Sequence, residues 1–189
     1  MSLIVNGSFE TPVVNNANNW GYIPRAQLLP WRTDAPVFEL WRDPVIHTTN
    51  TSIHCNSAAG KQNLEILSKS ATTAQLVQAN VWQTVKTTPG KAYAFGFAHS
   101  PRIHQHSWLT VSINGITVGV FNEDGTVAGF KNFTWAKYIV KFIAAKTMTK
   151  FNFNDRRIPA GGAGTHIDAV NLAITKLPKR FFGWSLPTY

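Results

Sequence analysis

A chain of 189 residues, 44% hydrophobic and only 14% charged, carries enough apolar matter for one sizeable core, which excludes a disordered polymer. Eighteen Lys and Arg against nine Asp and Glu give a formal charge of +9, which favours acidic partners, but the cations form no runs and nucleic acid is not the expected one. No apolar stretch approaches the roughly 20 residues that span a bilayer, Met1-Ser2-Leu3-Ile4-Val5-Asn6 has none of the features of a secretion signal, and the lone Cys55 excludes an internal disulfide.

Helical periodicity is nearly absent, and short runs of Val, Ile, Thr and aromatic residues recur between Gly, Pro, Asn and Asp, which predicts an all-β chain. Leu3-Ile4-Val5 reads as an opening strand, followed by Asn6-Gly7-Ser8-Phe9-Glu10 and a polar loop from Thr11 to Asn19. Strands follow at Val37–Trp41 and Asn63–Ile66, with Thr48 to Gly60 as a loop between them. Val81–Val85 and Lys91–Phe97 are joined through Thr88-Pro89-Gly90, whose Pro-Gly pair suits a turn. Trp108–Ile113 and Ile116–Phe121 flank Asn114-Gly115, the strongest short-range hairpin signal because both turn residues tolerate positive φ. Lys137–Phe142 and Lys150–Asn154 alternate polar with apolar, as half-buried strands do. The Gly-rich run 160–164 gives a loop before a last strand opening at His166-Ile167-Asp168-Ala169-Val170. About nine or ten strands suffice for two packed sheets. Residues 1–175 form this domain, and 176–189 are a tail in which Phe181, Phe182, Trp184, Leu186 and Tyr189 either pack back on the domain or dock on a neighbouring subunit.

Glu10 and Asp168 stand where strands of purely structural role need no acid, and in a sandwich with neighbouring first and last strands they can meet around a cation. Sugar recognition needs aromatic faces and planar polar groups, and Trp20-Gly21-Tyr22, Trp41-Arg42-Asp43 and Trp108 lie beside polar clusters. Glu39 and Trp41 share a strand face because side chains repeat every two residues. The densest polar and aromatic segment runs from His99 through Arg102, His104 and His106 to Trp108. Without a paired Cys or acid in that stretch, its histidines make a poor metal site. No nucleophile elbow, zinc-protease motif or phosphate loop is present, so no enzyme activity is expected; Glu39 and Glu65 can be proposed as a glycosidase pair, yet both fit ordinary strand positions.

Taken in order, Leu3-Ile4-Val5-Asn6-Gly7-Ser8-Phe9-Glu10, Pro30-Trp31, Phe38-Glu39-Leu40-Trp41, Gln62-Asn63-Leu64-Glu65, Gln83-Thr84-Val85, Pro89-Gly90-Lys91-Ala92-Tyr93 and His166-Ile167-Asp168-Ala169-Val170 resemble the galactose-binding-like jelly-roll domains related to carbohydrate-binding modules and to plant and bacterial cell-wall domains. The resemblance spans residues 3 to 175 and implies a two-sheet antiparallel jelly-roll β-sandwich. It implies a non-catalytic, lectin-like or adhesive module binding a glycan, an acidic one given the basic surface, outside the cell or on its surface. It further implies a structural calcium held by Glu10 and Asp168 with Ser8, and a ligand contact from Arg102. Glu39, Trp41, His99, His104 and Trp108 complete the expected ligand set. The alternative is a structural protein whose sandwich and aromatic tail build a homo-oligomer, particle or appendage.

Overall fold

The computed structural model describes residues 1–46, 52–53, 56–66, 68–69, 76–77, 79–102, 106–125, 133–155, 164–176 and 189. In chain order its strands are β1 (Trp20–Pro24), β2 (Arg32–Thr33), β3 (Val37–Arg42), β4 (Val45–Ile46), β5 (Ser52–Ile53), β6 (Gln62–Glu65), β7 (Ser68–Lys69) and β8 (Leu76–Val77). They continue with β9 (Asn80–Lys86), β10 (Ala92–Pro101), β11 (His106–Ile113), β12 (Ile116–Asp124), β13 (Ala136–Ile143), β14 (Met148–Asp155) and β15 (Thr165–Ile174). Six of them form one antiparallel sheet in the order β1-β3-β6-β15-β10-β13, and five form a second in the order β12-β11-β14-β9-β2. The pairs β4-β5 and β7-β8 are short ribbons outside both. Among the described residues no helix is long and apolar enough to cross a membrane.

Alternation along the strands builds the core. Leu109, Val111 and Ile113 of β11, Phe151 and Phe153 of β14, and Phe95 and Phe97 of β10 are buried between the sheets. Phe95 stacks on Phe151 at 4.4 Å, so aromatic rings from facing sheets interlock at the centre. The two expected turns form as read. Asn114 and Gly115 have φ of 50° and 86°, and Gly90 takes φ 79° in a turn closed by the Lys91 N–H donating to the Thr88 carbonyl at 3.1 Å.

The opening segment is a correction. Residues 3–6 bend rather than form a strand, although they do run beside β15: the Leu3 N–H donates to Leu172 O and the Val170 N–H to Gly7 O, both at 2.8 Å. That approach explains Gly7, where an added Cβ would lie 1.9 Å from the Val170 carbonyl oxygen. Phe9 is then driven fully inward onto Trp31 at 5.1 Å, and the Trp31 indole N–H donates to Asn6 O at 3.0 Å. Residues 20–24, where the sequence pattern predicts no strand, form β1 on the edge of the larger sheet, paired with β3 from Trp20–Trp41 to Pro24–Val37.

Of the aromatic tail, residues 177–188 lie outside the described residues. Its last residue packs on its own domain, the Tyr189 N–H donating to Ile143 O, its carbonyl accepting from the Ala145 N–H, and its ring lying 6.4 Å from Phe142.

Candidate functional site

The expected ligand residues divide between two faces of the sandwich. Trp41, Glu39 and Arg102 come together on the outer side of the six-stranded sheet, while Trp108 stands on the outer side of the other. His99 belongs to neither. The segment expected as a loop is mostly strand, since β10 continues to Pro101 and β11 begins at His106. His99 therefore points between the sheets, fully buried, its Nε2 2.9 Å from Ser107 Oγ and 2.5 Å from Thr165 Oγ1. It ties the two sheets together and offers a ligand nothing. His104 lies outside the described residues, as do His54 and Cys55.

On the six-stranded sheet, strand register sets Tyr22, Glu39, Glu65 and His166 side by side across β1, β3, β6 and β15. Two acids directly opposite each other normally repel. Here the carboxyl groups are hydrogen-bonded to one another, and the surroundings drive them apart in acidity. Burial, then the charge of Glu65, pushes Glu39 up to about 9, so it keeps its proton at neutral pH. Burial works against ionised Glu65 too, but the Arg102 guanidinium, followed by His166 and the Gly164 N–H, holds it below the usual carboxylate range. Arg102 Nη1 lies 3.2 Å from Glu65 Oε1, and its guanidinium carbon sits 4.7 Å above the Trp41 ring. The Trp41 indole N–H donates to Glu39 Oε1 at 3.0 Å. His166 Nδ1 is 2.8 Å from Asn63 Oδ1, and Phe133 covers both Trp41 and His166.

Trp41 is 2% exposed and Glu39 3%, so both fall short of the expected ligand surface. The physical reason is coverage by Trp20, Phe133 and Arg102, which strand alternation alone does not reveal. Two carboxyls in direct contact also leave no room for the separations of about 5 Å or more that glycosidases use.

The other face is open. Phe151, Phe153, Val81 and Val85 turn inward, so their neighbours Lys150, Asn152, Asn154, Asn80, Trp82 and Thr84 turn outward. Register places Ser112, Asn152, Trp82 and Arg32 in one row across β11, β14, β9 and β2, with Thr110, Asn154 and Asn80 in the next. Asp34 fixes Asn80 with two bonds, 2.8 Å from the backbone N–H and 2.6 Å from Nδ2. Asn80 Oδ1 in turn accepts from Asn154 Nδ2 at 3.2 Å and from Asn152 Nδ2 at 3.4 Å. Lys150 Nζ sits 4.2 Å from the centre of the Trp82 ring. Trp82 and Asp34 line two adjoining cavities, one of about 630 Å³ with Arg25, Leu29 and Arg32, the other of about 510 Å³ with Asn80, Lys150 and Asn152. Further along the same face Trp108 is 40% exposed, 6.2 Å from His106, whose Nδ1 is 3.5 Å from Asp124 Oδ1. An aromatic plate beside a fixed amide network and cations is suited to stack on a ring and read its polar substituents.

The sequence marked Trp108 as a candidate for exposure and did not single out Trp82. The signal was present: in Val81-Trp82-Gln83-Thr84-Val85 the Trp stands in phase with Thr84, on the side away from the two valines.

Glu10 and Asp168 do meet the same segment. Glu10 Oε1 accepts from the N–H groups of Lys61 and Gln62, both at 2.8 Å, and Asp168 Oδ2 accepts from that of Ala59 at 2.8 Å. Gly60 between them takes φ 72°, and an added Cβ would lie 2.4 Å from Glu10 Oε1. Burial, with a smaller push from Glu10, raises Asp168 to about 7. Ser8 is partly buried in the turn that carries Glu10. The pressure of the Glu10 charge on Asp168 suits a bound cation, while the backbone donors already account for part of the lone pairs of both acids.

Neither a known family model nor a curated protein matches this sequence. Solved structures do. TmCBM61, solved in complex with β-1,4-galactotriose, aligns with 93% of this chain and 99% of its own at 18% identity, with a TM-score of 0.54. A CBM4 structure aligns with 91% of this chain and 99% of its own at 16% identity and a TM-score of 0.46. The CBM22-1 xylan-binding domain of Xyn10C from Paenibacillus barcinonensis aligns with 91% and 94% at 10% identity and a TM-score of 0.49. The chain thus shares the antiparallel jelly-roll sandwich fold of TmCBM61.

Proposed function

We propose that this protein is a non-catalytic glycan-binding module that works through the outer face of its five-stranded sheet, and that its glycan is acidic. The observation that carries this reading is Trp82, in register with Asn152 and Arg32 and shared by two adjoining cavities. Arg25, Arg32 and Lys150 share the two cavities with that ring, whereas Asp34, the acid among their described lining residues, is engaged by Asn80. Such cations favour carboxylated or sulfated sugars over neutral ones. A polymeric ligand of that kind places the protein's work at a cell surface or outside the cell. In a panel of neutral, uronate-bearing and sulfated polysaccharides, acidic members bind and their affinity falls as salt is raised. A panel without binders contradicts the reading, and tighter binding of neutral members contradicts its acidic part.

The same reading gives Glu10 and Asp168 a calcium ion to share, with Ser8 and nearby carbonyls as further oxygen donors. Its role is to clip the opening segment to β15, away from the glycan face. The pH dependence supplies a test. Asp168 titrates near 3.8 unfolded and about 7 folded, so without metal its contribution to stability is complete below about pH 4 and is lost as pH rises through 7. Calcium favours the ionised form, so the rise in Tm on adding calcium should be small near pH 4 and grow up to pH 7 and beyond. An unchanged Tm with calcium or chelator at neutral pH removes the ion.

A further inference from the structure

The Trp82 face holds two aromatic plates, and their surroundings differ in charge. Trp108 lies two strands from Trp82 and four residues along β11 from Ser112, which shares the Trp82 row. At about 3.3 Å per residue and about 4.8 Å per strand, the plates are about 16 Å apart. No single sugar ring bridges that distance. Arg25, Arg32 and Lys150 cluster at the Trp82 end. The ground between the plates presents Asn80, Asn152, Asn154 and Thr110, which are neutral. Toward the Trp108 end, Asp124 lies across the β11-β12 ladder from His106.

Resting on the glycan reading above, we infer that the ligand is an internal stretch of an extended polysaccharide whose carboxylates are separated by neutral sugars, one carboxylate lying at Trp82 and an uncharged sugar on Trp108. A chain carrying a carboxylate on every sugar fits this face poorly. It would set anions over the uncharged amides of Asn80, Asn152 and Asn154 and bring one toward Asp124, at a cost in hydration that these described residues do not offset. The amides suit hydroxyls, for which the Asn side chains supply both donors and acceptors. A free uronic acid occupies only the Trp82 end, and a wholly neutral chain leaves its cations unused.

Titration calorimetry with the intact chain tests this with four probes: polygalacturonate, which is acidic at every sugar; gellan and glucuronoxylan, whose uronates are spaced; and unsubstituted xylan. Free glucuronate serves as the single-sugar comparison. At least one spaced-uronate polymer should bind tenfold or more tightly than both polygalacturonate and xylan, and a hundredfold more tightly than free glucuronate. Trp108→Ala should weaken that polymer about tenfold, and Lys150→Gln should narrow its margin over xylan. Polygalacturonate binding as tightly as the spaced polymers overturns the inference and leaves the acidic-glycan reading standing, as does free glucuronate binding as tightly as any polymer. Failure of every probe to bind overturns both.

Discussion

Trp82→Ala is expected to cost the protein about 2 kcal/mol or more of glycan affinity, roughly a thirtyfold loss, with the fold intact. Trp82 is half-buried on the outward side of β9 and takes no part in the central core, so its removal leaves the inter-sheet packing of Val81, Val85, Phe151 and Phe153 undisturbed. It also strips the wall shared by two cavities and frees Lys150 from its place over the ring. Calorimetry with an acidic polysaccharide that binds the parent protein, paired with thermal unfolding, separates the two effects. Unchanged affinity in the variant moves the site off this face.

Glu65→Gln should destabilise the fold by about 3 kcal/mol, the scale for breaking a buried charge pair from one side. Glu65 is 1% exposed and receives the Arg102 guanidinium and the Gly164 N–H on one oxygen. The amide keeps an acceptor but removes the Glu65 charge from beside Arg102 on the Trp41 ring. Glu39→Gln makes the contrast, because Glu39 already carries a proton and an amide can still accept from the Trp41 indole and donate to Glu65. The sign follows from its raised pKa. The contribution of Glu39 to stability is complete below about pH 4.5 and drains away as pH rises through about 9. Glu39→Gln should therefore flatten the stability profile across that window and gain on the parent protein toward its alkaline end. Denaturant unfolding of both variants at several pH values measures this, and equal losses from the two substitutions would show that the acids do not share one proton.

The contrast between the faces explains which parts of the molecule were legible in the sequence. Alternation in Lys150–Asn154 and the Asn114-Gly115 turn were local signals, and they became β14 and the β11-β12 hairpin. The row containing Trp82 was not local. Arg32, Trp82, Asn152 and Ser112 are scattered over the chain and meet only because β14 and β9 are inserted between β11 and β2, an order that periodicity does not encode. Trp41 failed in the opposite way. Its strand phase with Glu39 was read correctly, but Phe133 from a distant connection and Trp20 from an unexpected edge strand cover it. Arg102 stood out as a planar cation in a polar segment, and its partner Glu65 is brought across the sheet by the β3-β6-β15 pairing. His99 looked accessible only while its segment was taken for a loop.

Nuclear magnetic resonance titration of the labelled protein with the tightest-binding acidic glycan tests glycan binding by the five-stranded face most directly. Shifts in the indole N–H of Trp82 and Trp108 and in the side-chain amides of Asn80, Asn152 and Asn154, with the Trp41 indole unmoved, are the predicted result. Shifts centred on Trp41 and Arg102 with the Trp82 indole unchanged would contradict it.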